Sequence, residues 1–192
     1  MGLIAAGRAD EGLALFEKAA AAAPGQAGVW LDLGSAQFRL KRYDLARENF
    51  EKALAIDKTS ALALSDIGFV FVARAAEAND AGQAVKSLGY FDRAIALQPD
   101  LAAAWMGRAS ARLGLGQTAE AVGDLEQTLK LDPMRLDPYI NIAVALRELG
   151  RPADALRWLE RCKERLYARL RDAERAEIDR LINETKALVG GR

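Results

Sequence analysis

An all-α solenoid of antiparallel helix pairs laid side by side is the fold class the sequence predicts, on three observations. First, residues 27–60 divide into two stretches with apolar residues at helical spacing, joined by the polar Lys41-Arg42-Tyr43-Asp44. Trp30, Leu33, Gly34 and Leu40 mark the first stretch; Leu45, Ala46, Phe50, Ala53 and Leu54 mark the second. Second, the pattern recurs: Phe16, Phe50, Phe91, Leu125 and Leu159 follow one another at intervals of 34, 41, 34 and 34 residues. Third, an apolar content of 51% in 192 residues suits a folded protein, whose core a solenoid spreads along its length as neighbour interfaces.

Other columns keep the same register. Gly12, Ala46, Ser87, Ala121 and Ala155 form one, and Ala19, Ala53, Ala94, Thr128 and Cys162 another. Pro24, Pro99 and Pro133 close three of the units, with Lys58 and Tyr167 at the other two closing places. On the first helices Trp30 is answered by Leu64, Trp105 and Tyr139. Small Gly34 and Ala46 would let two helix backbones approach, with Trp30 and Phe50 filling the space beside them. With these columns the chain resembles the tetratricopeptide repeat, a helix pair of about 34 residues. The resemblance covers about Met1 to Leu166. It implies a right-handed superhelix that binds other proteins, here with a C-terminal capping helix.

In order, 1–26 is a partial first repeat, mainly its second helix, which is expected over Asp10 to Ala23. Counted back in the register, Met1 falls at the ninth position of this repeat; a piece of a longer array is the expectation, ahead of an end that docks on another chain, and Leu3 to Ala6 would supply the first helix's last turn. A complete repeat occupies 27–60. The repeat at 61–101 is seven residues too long, and the excess falls between Gly68 and Phe91, around a turn at Asn79-Asp80. Seven residues are about two helical turns, so each helix can lengthen by about one turn in phase. The repeat at 102–135 ends its first helix at Leu113-Gly114-Leu115-Gly116; that at 136–169 turns at Gly150-Arg151-Pro152. Its second helix has no closing proline and is expected to run past Tyr167 toward Arg171. In 170–192, Ile178, Leu181, Ile182, Thr185, Leu188 and Val189 make an apolar stripe suited to covering the last open face.

The chemistry is bounded by what is missing from the composition. There is no histidine, which removes Ser-His-Asp and Cys-His catalysis and imidazole metal sites. One cysteine, Cys162, can form neither an intrachain disulfide nor a thiolate metal cage, and its small-residue column predicts a buried packing position. The glycine groups have no preceding strand and are no phosphate loop. A non-catalytic protein without cofactor or metal is the expectation. Lys+Arg and Asp+Glu both number 27, which gives no electrostatic reason to expect nucleic acid or an anionic membrane as partner. No run approaches the ~18 apolar residues of a membrane span, and no targeting segment stands in the chain shown. A soluble protein, cytoplasmic rather than periplasmic, is the expectation.

In the family the first helices line a concave groove, so the resemblance implies partner-binding positions. Carried over residue by residue they are Leu31, Asp32, Ser35 and Phe38, then Leu62, Asp66, Phe69 and Val72, then Met106, Ser110 and Leu113, then Ile140, Asn141 and Arg147. This mostly apolar set suits a peptide or an amphipathic helix, with Asp32 and Asp66 orienting positive groups. The clamp that grips chaperone tails in one subtype needs lysine, asparagine and arginine where this chain has Leu31, Ser35, Asp66, Ala103 and Gly107. Chaperone C-terminal tails are therefore not expected as ligands. The alternative function is structural self-assembly, with open repeat ends or the groove associating between copies. Arg157, Arg161, Arg165 and Arg169 recur every four residues beside Glu160 and Glu164, and read as a solvated outer face or as a seat for an acidic partner or an anionic surface.

Overall fold

The structure, a computed structural model, describes residues 9–190, with side chains from Glu11 onward. The turn expected at Leu3 to Ala6 lies outside the described residues. Within them the chain forms ten α-helices and no strand: α1 Ala9–Ala22, α2 Ala27–Arg39, α3 Tyr43–Ile56, α4 Ala61–Ala78, α5 Ala81–Leu97, α6 Ala102–Gly114, α7 Thr118–Leu131, α8 Leu136–Glu148, α9 Pro152–Leu166 and α10 Asp172–Gly190. Neighbouring helices pack on one another from α1 through α5 and again from α7 through α10. The longest pair, α4 and α5, has 18 and 17 residues against 13 and 14 in α2 and α3.

Each pair is closed by the same turn. A residue with positive φ follows the first helix: Lys41 at 58°, Asn79 at 50°, Gly116 at 72° and Gly150 at 71°. The next N–H then reaches back five residues, from Arg42 to the Gln37 carbonyl at 2.9 Å, Asp80 to Ala75 at 3.0 Å, Gln117 to Arg112 at 2.9 Å and Arg151 to Leu146 at 2.8 Å. Those bonds satisfy carbonyls that the helix end leaves open, and they need the left-handed residue to form.

By packing, the chain divides into two compact units, Met1–Gly107 and Arg108–Arg192. In the first, glycine governs how closely the helices approach. A Cβ on Gly34 would stand 2.6 Å from the Phe50 ring, and one on Gly68 would stand 2.8 Å from the Phe91 ring. Phe50 and Phe91 are both fully enclosed there. The proline and aromatic columns prove to be joined. Trp30 Nε1 donates to the Pro24 carbonyl at 2.9 Å and Trp105 Nε1 to the Pro99 carbonyl at 2.8 Å. Proline ends the preceding helix, and its carbonyl accepts the indole N–H of the next one. Where Lys58 replaces proline, apolar Leu64 replaces the aromatic donor and is buried.

The second unit repeats this link, the Tyr139 hydroxyl donating to the Pro133 carbonyl at 3.2 Å. Its core joins Leu125, Ile142, Leu146, Leu159 and Cys162 to Ile178, Leu181 and Ile182 of α10. Thr185 is buried beside them, whereas Leu188 and Val189, expected on the same stripe, are exposed. Cys162 is fully buried, and burial pushes its thiol up to about 11. The expectation that α9 runs past Tyr167 is corrected: the helix stops at Leu166 and enters a 3-10 turn over Tyr167–Arg169. Tyr167 is held from the far side, its carbonyl accepting from Arg175 Nε at 2.9 Å and its hydroxyl donating to Asp179 at 2.6 Å. Those bonds draw the chain round to start α10.

Candidate functional site

The residues expected on an inner face fall in both units. In the first, Leu31 and Phe38 pack half-buried against the core of Phe50, Ile67, Val70 and Phe71. Phe69 meets Phe91 edge to face, centroids 5.2 Å apart, and both rings close over Gly107. A Cβ at Gly107 would lie 2.2 Å from Phe91 and 3.0 Å from Phe69, so this inner position is filled by its neighbours. Four of the expected residues, Ser35, Phe38, Asp66 and Phe69, meet around one cavity of about 140 Å³. Arg39 and Phe50 complete its wall. Leu31, Asp32, Leu62, Val72 and Met106 lie outside that lining; Asp32 and Leu62 are exposed, and the others are half-buried.

Asp66 sets the electrostatics of this cavity. It is half-buried and has no hydrogen bond or ion pair among the described residues, and burial raises its carboxyl from 3.8 to about 7. A carboxylate withdrawn from water is ordinarily supplied with a partner. The second unit shows how this chain does that. Asp124, its side chain 3% exposed, receives Arg108 through Nε at 3.0 Å and Nη2 at 2.7 Å, and Arg112 Nη1 at 2.7 Å. Asp66 instead shares its cavity with the rings of Phe38, Phe50 and Phe69 and with Arg39.

In the second unit the inner positions are mostly engaged by the chain itself. Leu113 and Ile140 pack against the core. Arg147 Nη1 pairs with Glu184 of α10 at 3.4 Å. Ser110 and Asn141 are half-buried. Sequence reasoning misses Phe50 as a cavity wall, because its column reads as core and it is core on its other side. Its approach to Gly34 is the available signal, since a ring seated on a glycine is carried toward the inner face.

The comparisons agree with this architecture. Residues 3–65 match the family model described as Tetratricopeptide repeat, and residues 89–186 match that described as Bacterial transcriptional activator domain. None of the curated proteins matches. Among solved structures, TTC0263, a thermophilic TPR protein of Thermus thermophilus, is 23% identical, with 94% of each chain covered and a TM-score of 0.78. YrrB, described as a TPR protein with an unusual peptide-binding site, is 22% identical over 84% of this chain and 80% of its own, with a TM-score of 0.60. The first TPR of Spaghetti (RPAP3), bound to the HSP90 peptide SRMEEVD, is 20% identical over 65% of this chain and 96% of its own, also at 0.60. At such identities the likeness is one of fold. Ten paired helices, a shared repeat register and these matches place the chain in the tetratricopeptide-repeat family and, over its C-terminal half, in the bacterial transcriptional activator domain family.

Proposed function

We propose that the unit Met1–Gly107 holds a peptide or the apolar face of an amphipathic helix from a partner protein, without catalysis, and that a cationic side chain of that partner enters the Asp66 cavity. The observation that carries this is half-buried Asp66, without a hydrogen bond or ion pair among the described residues, in a cavity with Phe38, Arg39, Phe50 and Phe69. Aromatic faces attract a cation, and the carboxylate completes its neutralisation. The family consists of interaction modules, and the peptide site described for YrrB supports the reading. Membership in the bacterial transcriptional activator domain family supports a setting in bacterial gene regulation. Protein rather than nucleic acid is the bound partner, because 27 basic side chains are matched by 27 acidic ones.

Two probe peptides test it: one apolar with a single lysine, the other with norleucine in its place. The full chain should prefer the lysine probe by about tenfold at pH 8, the worth of one charge-assisted bond. That preference should shrink toward pH 6 as Asp66 takes up its proton, and Asp66→Asn should abolish it at every pH. Equal binding of the two probes by the parent, or a preference surviving in Asp66→Asn, overturns the proposal.

A further inference from the structure

The second helices of the second unit carry a different surface. Between α7 and α9 lie two clefts of about 410 and 280 Å³ that share Glu126, Trp158 and Arg161. The larger is floored by Leu129, Pro133 and Tyr139 and rimmed by Lys130, Arg161 and Arg165. Trp158 leans on Tyr139 with centroids 6.0 Å apart, and the Arg161 guanidinium lies 5.2 Å from the Trp158 ring centre.

The repeat register shows why this place is unusual. The positions of Trp158 on α9 and Leu146 on α8 are filled in the other pairs by Asn49 with Gln37, Tyr90 with Phe71, and Asp124 with Arg112. Those pairs satisfy one another: Asn49 Nδ2 donates to Gln37 Oε1 at 2.6 Å, Tyr90 stacks on Phe71 at 5.3 Å, and Asp124 accepts from Arg112 at 2.7 Å. Leu146 can offer Trp158 no polar partner. The Trp158 indole N–H, unlike those of Trp30 and Trp105, has no acceptor among the described residues. It is a large aromatic with its polar edge unused, the composition of an interface anchor.

The charges around it are one-sided. Arg157 and Arg151 share Asp154, and Lys163 pairs with Asp179. Lys130, Arg161 and Arg165 have no ion pair among the described residues, and they face the single carboxylate of Glu126. Glu160 and Glu164, which the sequence places beside the arginines, form no ion pair there either. We infer that this cleft is a docking site for an acidic peptide segment of a partner protein, with an apolar side chain of the segment against Trp158 and its carboxylates on Arg161, Arg165 and Lys130. A nucleic acid fits less well, since a polyphosphate needs a continuous basic track and here Glu126 interrupts a cluster of three.

A display library of random short peptides, selected on the full chain and counter-selected on Arg161→Gln/Arg165→Gln, tests the inference apart from the Asp66 cavity. Both arginines are exposed, so the double variant should keep the parent's helicity, and Lys130→Gln in a folded background gives an independent check. Peptides that the parent holds and the variant loses should be rich in Asp and Glu around an apolar residue. Synthesised singly, they should bind the double variant about tenfold or more weakly and should shift the fluorescence of Trp158. Lost peptides with no acidic bias, an oligothymidylate that binds the parent and competes with them, or a parent that dimerises through this cleft would each overturn it. Unchanged peptide affinity in both charge variants does so as well.

Discussion

A single carboxyl, that of Asp66, ties stability to binding. Burial raises it from 3.8 to about 7, so the native state holds a proton that the unfolded chain has released across that interval. Stability contributed here is fully present below about pH 4 and falls as pH rises to about 7, because the unfolded state binds fewer protons there. Asp66→Asn, which cannot ionise, should therefore raise stability by about 1–2 kcal/mol at pH 7.5 and make little difference at pH 4. Urea midpoints of both proteins at the two pH values decide it; a variant destabilised equally at both would mean that the carboxylate has a hidden partner. The identity of this residue was legible in the sequence, since the repeat register places Asp66 on an inner helix face. Its isolation was not legible, because that depends on Phe38, Phe50 and Phe69 converging from three helices.

At the scale of helices, the columns carried most of the fold. Trp30 and Pro24 are separate signals in the sequence; the structure shows them as one hydrogen bond, which is why Leu64 can stand where the proline is absent. The end of α9 departs from expectation for the converse reason. Nothing local forbids helix at Tyr167, and its termination comes from Arg175 and Asp179 on the next helix. Turns lie between these extremes. Gly116 and Gly150 adopt positive φ at no steric cost, but Lys41 holds 58° with a full side chain. Lys41→Gly should stabilise the protein by about 0.5–1 kcal/mol, the relief of left-handed strain exceeding the entropy of an added glycine. The change also gives up the Glu77 ion pair, which at 3.8 Å between two exposed side chains is worth little. A thermal midpoint below the parent's would show that the Lys41 side chain contributes more than its backbone costs.

For the molecule as a whole, the two compact units divide the chemistry. The first keeps a cavity around Asp66, whereas the second pairs Arg108 and Arg112 with Asp124 and Arg147 with Glu184, and leaves Trp158 in a cleft between its second helices. The family resemblance directs attention to the first surface and is silent on the second, which arises from one departure in a column that other pairs satisfy internally. The second unit depends on α10 for closure. Ile178, with no exposed surface, joins the cluster that encloses Cys162. Cys162 is therefore a built-in reporter: buried and with its thiol raised to about 11, it should react with a thiol reagent only when that cluster opens. Ile178→Ala removes three buried carbons and should lower the opening free energy by about 2–4 kcal/mol. If α10 opens as a unit, labelling of Cys162 should accelerate by roughly thirtyfold or more, while the near-neighbour Trp158 keeps its native fluorescence. Should Cys162 label faster only in step with the loss of global stability, with Trp158 fluorescence changing alongside it, Cys162 would be exposed by unfolding of the whole unit and α10 would be inseparable from it; an unchanged labelling rate would mean that the thiol is reached by an opening that does not involve Ile178.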